Sequence, residues 1–312
     1  MLWAETRILV NNFSTDAQVY LQSLHDNIRV IRHPHFAPMY YSHHQKTVIV
    51  DRAVAFVGGL DMTWGRYDNH EHLLIDPEPR KWLGIDYYNP NVRSPAAFFR
   101  IDDPNRDGID RSLVTRMPWH DVEVMVDSQA AIDVAANFVQ RWNHHIQSEP
   151  LPPLDASTTF ADVTGPALFH RLTRPEHHQG TLGEPEPEPE GTMHVQVLRS
   201  LSTWSGNTST EASILGAYLK AIESAESFIY IENQFFISST AGNGVVNGIA
   251  NAIIKRIRHA IKANQRFHVV ILFPQPEELG RWSLPILQRE YRTIATGGNS
   301  ILDQYVSEDC LH

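Results

Sequence analysis

The sequence predicts an α/β protein made of two half-domains of mixed β-sheet flanked by helices, both of them incomplete. Short runs rich in Val and Ile alternate along the chain with amphipathic runs of helical period. A Pro- and Glu-rich segment interrupts this alternation over residues 150–192. Together these observations predict a first half-domain at 1–149, an extended linker at 150–192 and a second half-domain at 193–312.

Strands and helices alternate in the first half-domain. Apolar β-branched runs predict the strands, and apolar residues spaced by three and four predict the helices. Asp51-Arg52 is predicted to form a tight turn between two buried strands, and the Pro- and Asp-rich residues 68–118 a long loop. The predicted elements are a strand at 8–10, a helix at 17–24 capped by Ser14, Thr15 or Asp16, strands at 28–31, 47–50 and 53–57, and a helix at 129–146.

The second half-domain repeats the alternation after the linker. The same patterns predict strands at 195–198, 228–232 and 269–273, and helices at 211–225, 246–263 and 284–294. Strands that alternate with helices favour parallel pairing, so we expect largely parallel sheets.

Bulk composition narrows the classes of function. The net charge of −10 argues against non-specific binding of nucleic acid, which needs a basic surface. The single cysteine, Cys310, excludes an internal disulfide and fits a reducing compartment. The sequence holds no apolar run of about 18 residues and no signal-peptide pattern. We therefore expect a cytoplasmic protein, and we expect any contact with a membrane to be peripheral.

One short run carries candidate chemistry: His44-Gln45-Lys46 at a predicted strand, followed by Asp51. Side chains two residues apart in an extended segment point to the same side, so an imidazole and a cation can meet one phosphate. His44 is a candidate nucleophile that would form a phosphohistidine, Lys46 a candidate phosphate ligand and Asp51 a third candidate. No second H-x-K occurs in the 312 residues, so a general acid for the leaving group must come from elsewhere.

The same run has a plainer interpretation as a His-rich loop that is merely polar or binds a metal ion. A lysine inside the run and the lack of a nearby cysteine disfavour a zinc site. We predict neither a metal nor another cofactor. The histidines concerned are His33, His35, His43 and His44.

Three further groups are candidate substrate-binding residues, and each has an alternative. Gly58-Gly59-Leu60-Asp61 lets a phosphate approach the backbone, or simply ends a strand. Trp119-His120 offers an aromatic wall and a polar group, or merely begins a strand. Glu232-Asn233-Gln234 stands at the carboxyl end of a predicted strand, where ligands bind α/β sheets, or forms a bulge or a cap.

Six blocks of residues carry a resemblance to a known family, and together they span nearly the whole chain apart from the linker. They are His44 to Asp51 with Gly58 to Asp61, Gly65 to His70 with His72-Leu73, Arg116 to Val122, Phe138 to Asn143, Ser200 with Trp204-Ser205 and Ile229 to Ile237, and Tyr291 to Thr293 with Gly298 to Ile301. In these blocks and in their order, the chain resembles the eukaryotic phospholipase D enzymes of the superfamily with two HKD motifs.

The resemblance implies two phospholipase D-like half-domains and the hydrolysis of phosphatidylcholine to phosphatidic acid and choline at the surface of a phospholipid bilayer. It implies that primary alcohols compete with water and that no metal takes part. It assigns nucleophilic attack to His44, phosphate binding to Lys46 and support of the pocket to Asp51. Because this chain holds the first HKD motif but not the second, we expect a fragment that is nearly inactive without a second half-site from the rest of its parent chain.

Two alternatives stay open. The first is another phosphatidyltransferase, or a nuclease, of the same superfamily, which the Gly-Gly-x-Asp and Glu-Asn-Gln-Phe-Phe blocks disfavour. The second is a non-catalytic fragment that binds lipid or protein.

Overall fold

The computed structural model describes residues 14–33, 43–89, 92, 103–146, 154, 193–242, 244–274, 284–295 and 301. The chain divides into two compact units, each made of two stretches. The first combines Met1–His72 with Trp119–Glu211, and the second combines Leu73–Pro118 with Ala212–His312. The boundaries predicted at 149 and 193 stay a prediction, and of the predicted linker only Leu154 lies within the described residues.

The first unit is built on a three-stranded antiparallel sheet. Its order is β1 (Lys46–Val50), β2 (Val54–Gly58) and β3 (Glu123–Asp127), with β2 in the centre. The predicted turn at Asp51-Arg52 is confirmed: both residues have positive φ, 53° and 55°, as in the tight turns that match the twist of a hairpin. Antiparallel pairing in this sheet contradicts the expected largely parallel sheets. Only residues 51–53 join β1 to β2, and so short a connection can only pair strands antiparallel.

Helix α2 packs against one face of this sheet. The predicted helix at 129–146 is observed as α2, Ser128–His145. Ala131 and Val134 of α2 pack against Ala55 of β2. Farther along α2, Trp142 packs against Ile31. The remaining elements of this unit are the helix α1 (Ser14–Leu24), the short helix α3 (Thr203–Gly206) and the small ribbon of β4 (Ser200–Leu201) and β5 (Glu211–Ala212).

Two strands predicted for this part of the chain are wrong, and a third lies outside the described residues. Residues 28–31 form no strand, because side chains of α1 bond their backbone instead: Gln18 Nε2 donates to Val30 O at 2.8 Å, and Gln22 Oε1 accepts from Val30 N at 3.1 Å. Residues 195–198 are also irregular, and the extended pairing begins only at Ser200. The predicted strand at 8–10 is not among the described residues. Helix α1 begins at Ser14, so the three candidate caps lie inside it.

The second unit contains a parallel pair of strands packed on helices. Strand β6 (Phe228–Glu232) pairs with β7 (His268–Leu272), so that Ile229 lies beside Val269. Helix α4 (Ser213–Ser224), helix α5 (Ile249–Lys262) and helix α6 (Leu284–Ile294) complete the described part of this unit. Ile222, Ile229, Ala250 and Ile253 form its core, which confirms the predicted alternation of strands and helices here.

Most of the predicted long loop belongs to the second unit, and its described residues, 68–89, 92 and 103–118, contain no strand. The Asp76 carboxylate accepts hydrogen bonds from the backbone N–H of Arg80, Lys81 and Trp82, the last at 3.0 Å. Burial alone would raise the pKa of Asp76, but these donors and the nearby Arg111 lower it overall. These hydrogen bonds satisfy the backbone N–H groups of Arg80, Lys81 and Trp82.

No helix within the described residues has both the length and the apolar character needed to cross a bilayer.

Candidate active site

The candidate site lies at one end of the antiparallel sheet, where His44 and Lys46 enter β1. The residues of this stretch alternate between two environments, as extended backbone requires. His43 is buried, and Gln45 accepts a hydrogen bond from Asn137 Nδ2 of α2 at 2.8 Å. His44 and Lys46 therefore point together away from α2.

The two predicted side chains are in direct contact. Lys46 Nζ donates to His44 Nδ1 at 2.8 Å and to the His44 carbonyl oxygen at 3.1 Å. Because an ammonium group only donates, Nδ1 is the accepting nitrogen and the imidazole proton lies on Nε2. The predicted pairing of His44 with Lys46 is thus present in the structure, and the ring is held as one tautomer.

A carboxylate bridges the lysine to a second cation. Lys46 Nζ lies 3.2 Å from Asp61 Oδ1, and Arg66 Nη1 lies 3.3 Å from Asp61 Oδ2. The Lys46 side chain is only 11% exposed, so this ion pair is partly shielded from water. Asp61, predicted as a substrate-binding residue, fixes the cation beside His44. Arg66 was not predicted as a site residue.

The environment of His44 favours its neutral form. His44 is exposed as a residue, and the partial shielding of its ring from water is the first cause that lowers its pKa; the charges of Lys46 and Arg66 act in the same direction. Asp61 and Asp121 oppose them without reversing the shift. A neutral imidazole keeps one ring-nitrogen lone pair, here the Nδ1 lone pair that accepts from Lys46, and only a ring with such a lone pair can attack phosphorus.

Gly58 and Gly59 allow β3 to approach closely. Lys46, Gly58 and Glu123 form one cross-strand row, so the missing side chain of Gly58 leaves room between a cation and a carboxylate. A Cβ at Gly58 would collide with Val122 O and the Glu123 carboxylate, and one at Gly59 would collide with Asp121. The predicted substrate-binding role of Gly58 and Gly59 stays a prediction.

Glu123 is a second carboxylate that sequence reasoning missed. Its Oε1 accepts from Leu60 N at 3.1 Å, which ties the turn after β2 to the beginning of β3. Burial is the main cause that raises the pKa of Glu123, and Asp121 adds to it, while Lys46 and the Leu60 N–H oppose it. Only the strand register reveals that Glu123 shares a row with Lys46, and no local motif signals it.

Trp119 and His120 belong to a polar cluster next to this ion pair. The Arg66 guanidinium stacks 3.9 Å from the centre of the Trp119 ring, whose Nε1 donates to Gly65 O at 2.7 Å. Asp68 Oδ2 accepts from Trp119 N at 2.7 Å and lies 3.2 Å from His72 Nδ1. His120 stacks on His72 with 3.8 Å between ring centres. Trp119 thus holds Arg66, and through it Asp61, in place.

Asp51 lies away from His44 and Lys46. Asp51 is exposed in the hairpin turn at the far end of β1, roughly 16 Å from Lys46 at the usual rise of a strand. Its predicted catalytic role stays a prediction.

Glu232, Asn233 and Gln234 belong to the second unit and do end a strand, as predicted. Asn233 N donates to Leu272 O at 3.1 Å, and Glu232 Oε2 accepts from Tyr230 Oη at 2.8 Å. All three residues are exposed, and their predicted substrate-binding role also stays a prediction.

A group that we call the histidine cluster lies behind the site and comprises the buried His33, His43 and His145 together with the half-buried Trp204. The ring of His33 is 4.4 Å from His145, 5.9 Å from His43 and 5.2 Å from Trp204, measured between ring centres. Burial lowers the pKa of His43 to about 3 and that of His145 to about 4, with Arg141 and neighbouring histidines acting in the same direction. Two histidines of the supposed polar loop, His33 and His43, are thus core residues.

Metal binding finds no support in the part of the chain that the structure describes. No group of three or more His, Cys, Asp or Glu side chains there is placed to hold an ion.

A neutral imidazole and a shielded cation, held side by side at the start of a strand, define a histidine–lysine site suited to a phosphate group. Comparison with known proteins agrees with that class. A family model described as phospholipase D matches residues 5–301. The chain therefore belongs to the phospholipase D family.

Individual relatives are similar over almost all of this chain. Phospholipase D A of Dictyostelium discoideum is 40% identical over 99% of the chain and 22% of its own length. Phospholipase D1 of Schizosaccharomyces pombe is 38% identical over 95% of the chain and 22% of its own length. Phospholipase D2 of Bos taurus is 34% identical over 97% of the chain and 34% of its own length. The chain thus spans between a fifth and about a third of these relatives.

Proposed function

We propose that this chain is the nucleophile-bearing part of a phospholipase D, which hydrolyses phosphatidylcholine to phosphatidic acid and choline. The observation that carries the proposal is the contact of His44 Nδ1 with Lys46 Nζ at 2.8 Å, with Asp61 behind the lysine. A phosphodiester carries one negative charge that Lys46 can neutralise while the imidazole attacks.

The reaction starts with an exchange of hydrogen bonds. In the structure, the Nδ1 lone pair of His44 accepts a hydrogen bond from Lys46 Nζ. When a lipid phosphate accepts the hydrogens of Lys46 Nζ instead, this lone pair is released. The lone pair of the ring attacks phosphorus, a bond from nitrogen to phosphorus forms, and the bond to the choline oxygen breaks. Water then attacks the phosphohistidine, and phosphatidic acid leaves as His44 is restored. A primary alcohol that replaces water gives a phosphatidyl alcohol.

The choline alkoxide needs a proton as it leaves, and a second acid must supply it. The chain has one H-x-K motif and its relatives are three to five times as long. We therefore propose that a second half-site, from the rest of a parent chain, supplies this acid, and that the fragment alone is nearly inactive on phosphatidylcholine. The proposed setting is cytoplasmic, with peripheral binding to a phospholipid bilayer.

A substrate whose leaving group needs no proton tests the nucleophile without the second half-site. Bis(4-nitrophenyl) phosphate releases nitrophenolate directly, so the chain should give a stoichiometric burst and become phosphorylated on His44. His44→Ala should abolish the burst. His25→Ala, at an exposed histidine of the same unit, should retain it.

The outcomes separate the proposed function from its alternatives. A burst that survives His44→Ala removes His44 from the role of nucleophile. Binding to phosphatidylcholine vesicles without any burst supports the non-catalytic alternative. When a second half-site is supplied, phosphatidylcholine with 1-butanol should yield phosphatidylbutanol, and its absence in the presence of a burst points to a different phosphodiester substrate.

A further inference from the structure

The turn that follows Asp61 presents two large apolar side chains to solvent. Met62 is 80% exposed and Trp64 is 57% exposed. We call residues 62–64 the apolar turn. An exposed methionine alone is unremarkable in a protein surface, but a second large side chain two residues away makes a local apolar tip.

The apolar turn is held at both ends. Thr63 N donates to Asp61 O at 2.9 Å, and Asp61 is fixed by Lys46 and Arg66. On the other side, Gly65 O accepts from Trp119 Nε1 at 2.7 Å. Exposure of Met62 and Trp64 is therefore imposed by an anchored backbone and is not the fraying of a loose segment.

The apolar turn is also next to the cations of the site. Met62 directly follows the carboxylate that binds Lys46 and Arg66, and Trp64 lies at most about 11 Å of chain away from Asp61. A lipid phosphate that reaches Lys46 must bring the surrounding bilayer surface to the same place. The side chains that then meet the lipid are an apolar methionine and a tryptophan, a residue that favours the boundary between headgroups and acyl chains.

We infer that the apolar turn inserts into the interfacial region of a phospholipid bilayer when Lys46 engages a lipid phosphate. This inference rests on the proposed function and adds the segment that contacts the membrane. Charge complementarity favours lipid over a second copy of this acidic chain, because Lys46 and Arg66 beside the turn attract phosphate.

A fluorescent probe at the turn tests the inference on the full chain. Cys310→Ser leaves no other thiol, and Met62→Cys then carries an environment-sensitive nitrobenzoxadiazole label. Met193→Cys is the matched control, since Met193 belongs to the same unit and is 85% exposed. With phosphatidylcholine vesicles, emission from position 62 should shift to the blue and be quenched by spin-labelled lipid, while emission from position 193 should not.

Charged substitutions provide the second measurement. Met62→Asp combined with Trp64→Asp should weaken vesicle binding about tenfold or more, because two apolar side chains no longer enter the lipid. Circular dichroism verifies that the variant is folded. Binding equal to the unsubstituted chain overturns the inference, as does an unshifted label at position 62. A shift that depends on protein concentration without vesicles would assign the turn to a contact between copies and also overturns it.

The inference and the proposed function can fail separately. Bis(4-nitrophenyl) phosphate is soluble in water, so the charged variant should still give its burst if it fails only at the membrane. A burst with no insertion refutes the inference and leaves the proposed function standing. Insertion with no burst refutes the proposed function as a catalytic one.

Discussion

Mild acid should destabilise the first unit through its histidine cluster. His43 and His145 are 9% and 7% exposed, and their pKa values in the folded chain are about 3 and about 4, against 6.5 for an ordinary histidine. Both shifts are downward, so between these values and 6.5 the unfolded chain binds more protons than the folded one. Stability is therefore complete above pH 6.5 and is lost as the pH falls through this window.

The size of this loss of stability follows from how far the pH falls below 6.5, the pKa of a histidine in the unfolded chain. Between pH 7 and pH 5 each histidine lowers the free energy of unfolding by about 2 kcal/mol, so the pair lowers it by about 4 kcal/mol. For a unit of this size such a loss lowers the melting temperature by roughly 10 °C. Arg141 is buried beside these rings and carries its own charge, which makes a further positive charge there unfavourable.

Melting temperatures at pH 7 and pH 5 measure this effect. The double variant His43→Gln and His145→Gln should be less stable at pH 7, because it loses packing, but it should lose much less stability on acidification. His25→Gln, at an exposed position, should keep the full dependence on pH. An acid-induced drop of the same size in the double variant and the unsubstituted chain would show that other groups cause it.

The surroundings of Lys46 give three more predictions. Asp61→Asn removes an ion pair of 3.2 Å, so the nitrophenolate burst should slow about tenfold at unchanged amplitude in stopped-flow measurements; an unchanged rate contradicts a positioning role. Gly58→Ala drives a Cβ into β3 and should cost about 1–3 kcal/mol in urea unfolding, whereas Gly216→Ala, in open space inside α4, should stabilise by about 0.5–1 kcal/mol. Because the pKa of His44 is lowered, the burst rate should fall with a midpoint below pH 6.5, and a decline centred at or above pH 6.5 refutes this.

Local sequence patterns correctly predicted the bounds of elements in which the periodic spacing of apolar residues is the main signal. The predicted bounds of β6 and α6 match the structure, because their apolar residues follow the periods of a strand and a helix. Residues 28–31 have the same β-branched character, yet they form no strand. Side chains of α1 form the hydrogen bonds that a neighbouring strand would otherwise form with the backbone at Val30. The sequence of residues 28–31 alone does not indicate which element packs beside them.

The site shows the same limit. Contact between His44 and Lys46 was predictable, because residues two apart in a strand share a side. The carboxylate next to Lys46 is Asp61, whereas Asp51 of the same motif lies in the hairpin turn. Glu123 is distant in sequence and joins Lys46 only through the register of three strands, which depends on the fold as a whole.

The histidine cluster explains why His44, and not His43, faces away from helix α2. His43 and His44 are adjacent and identical in type, so nothing in their own chemistry decides which one is buried. Helix α2 decides it, because Arg141 and His145 surround His43 while Asn137 holds Gln45 at 2.8 Å. Extended backbone then directs His44 and Lys46 to the opposite side. Burial of a neutral histidine behind the strand thus fixes the orientation of His44.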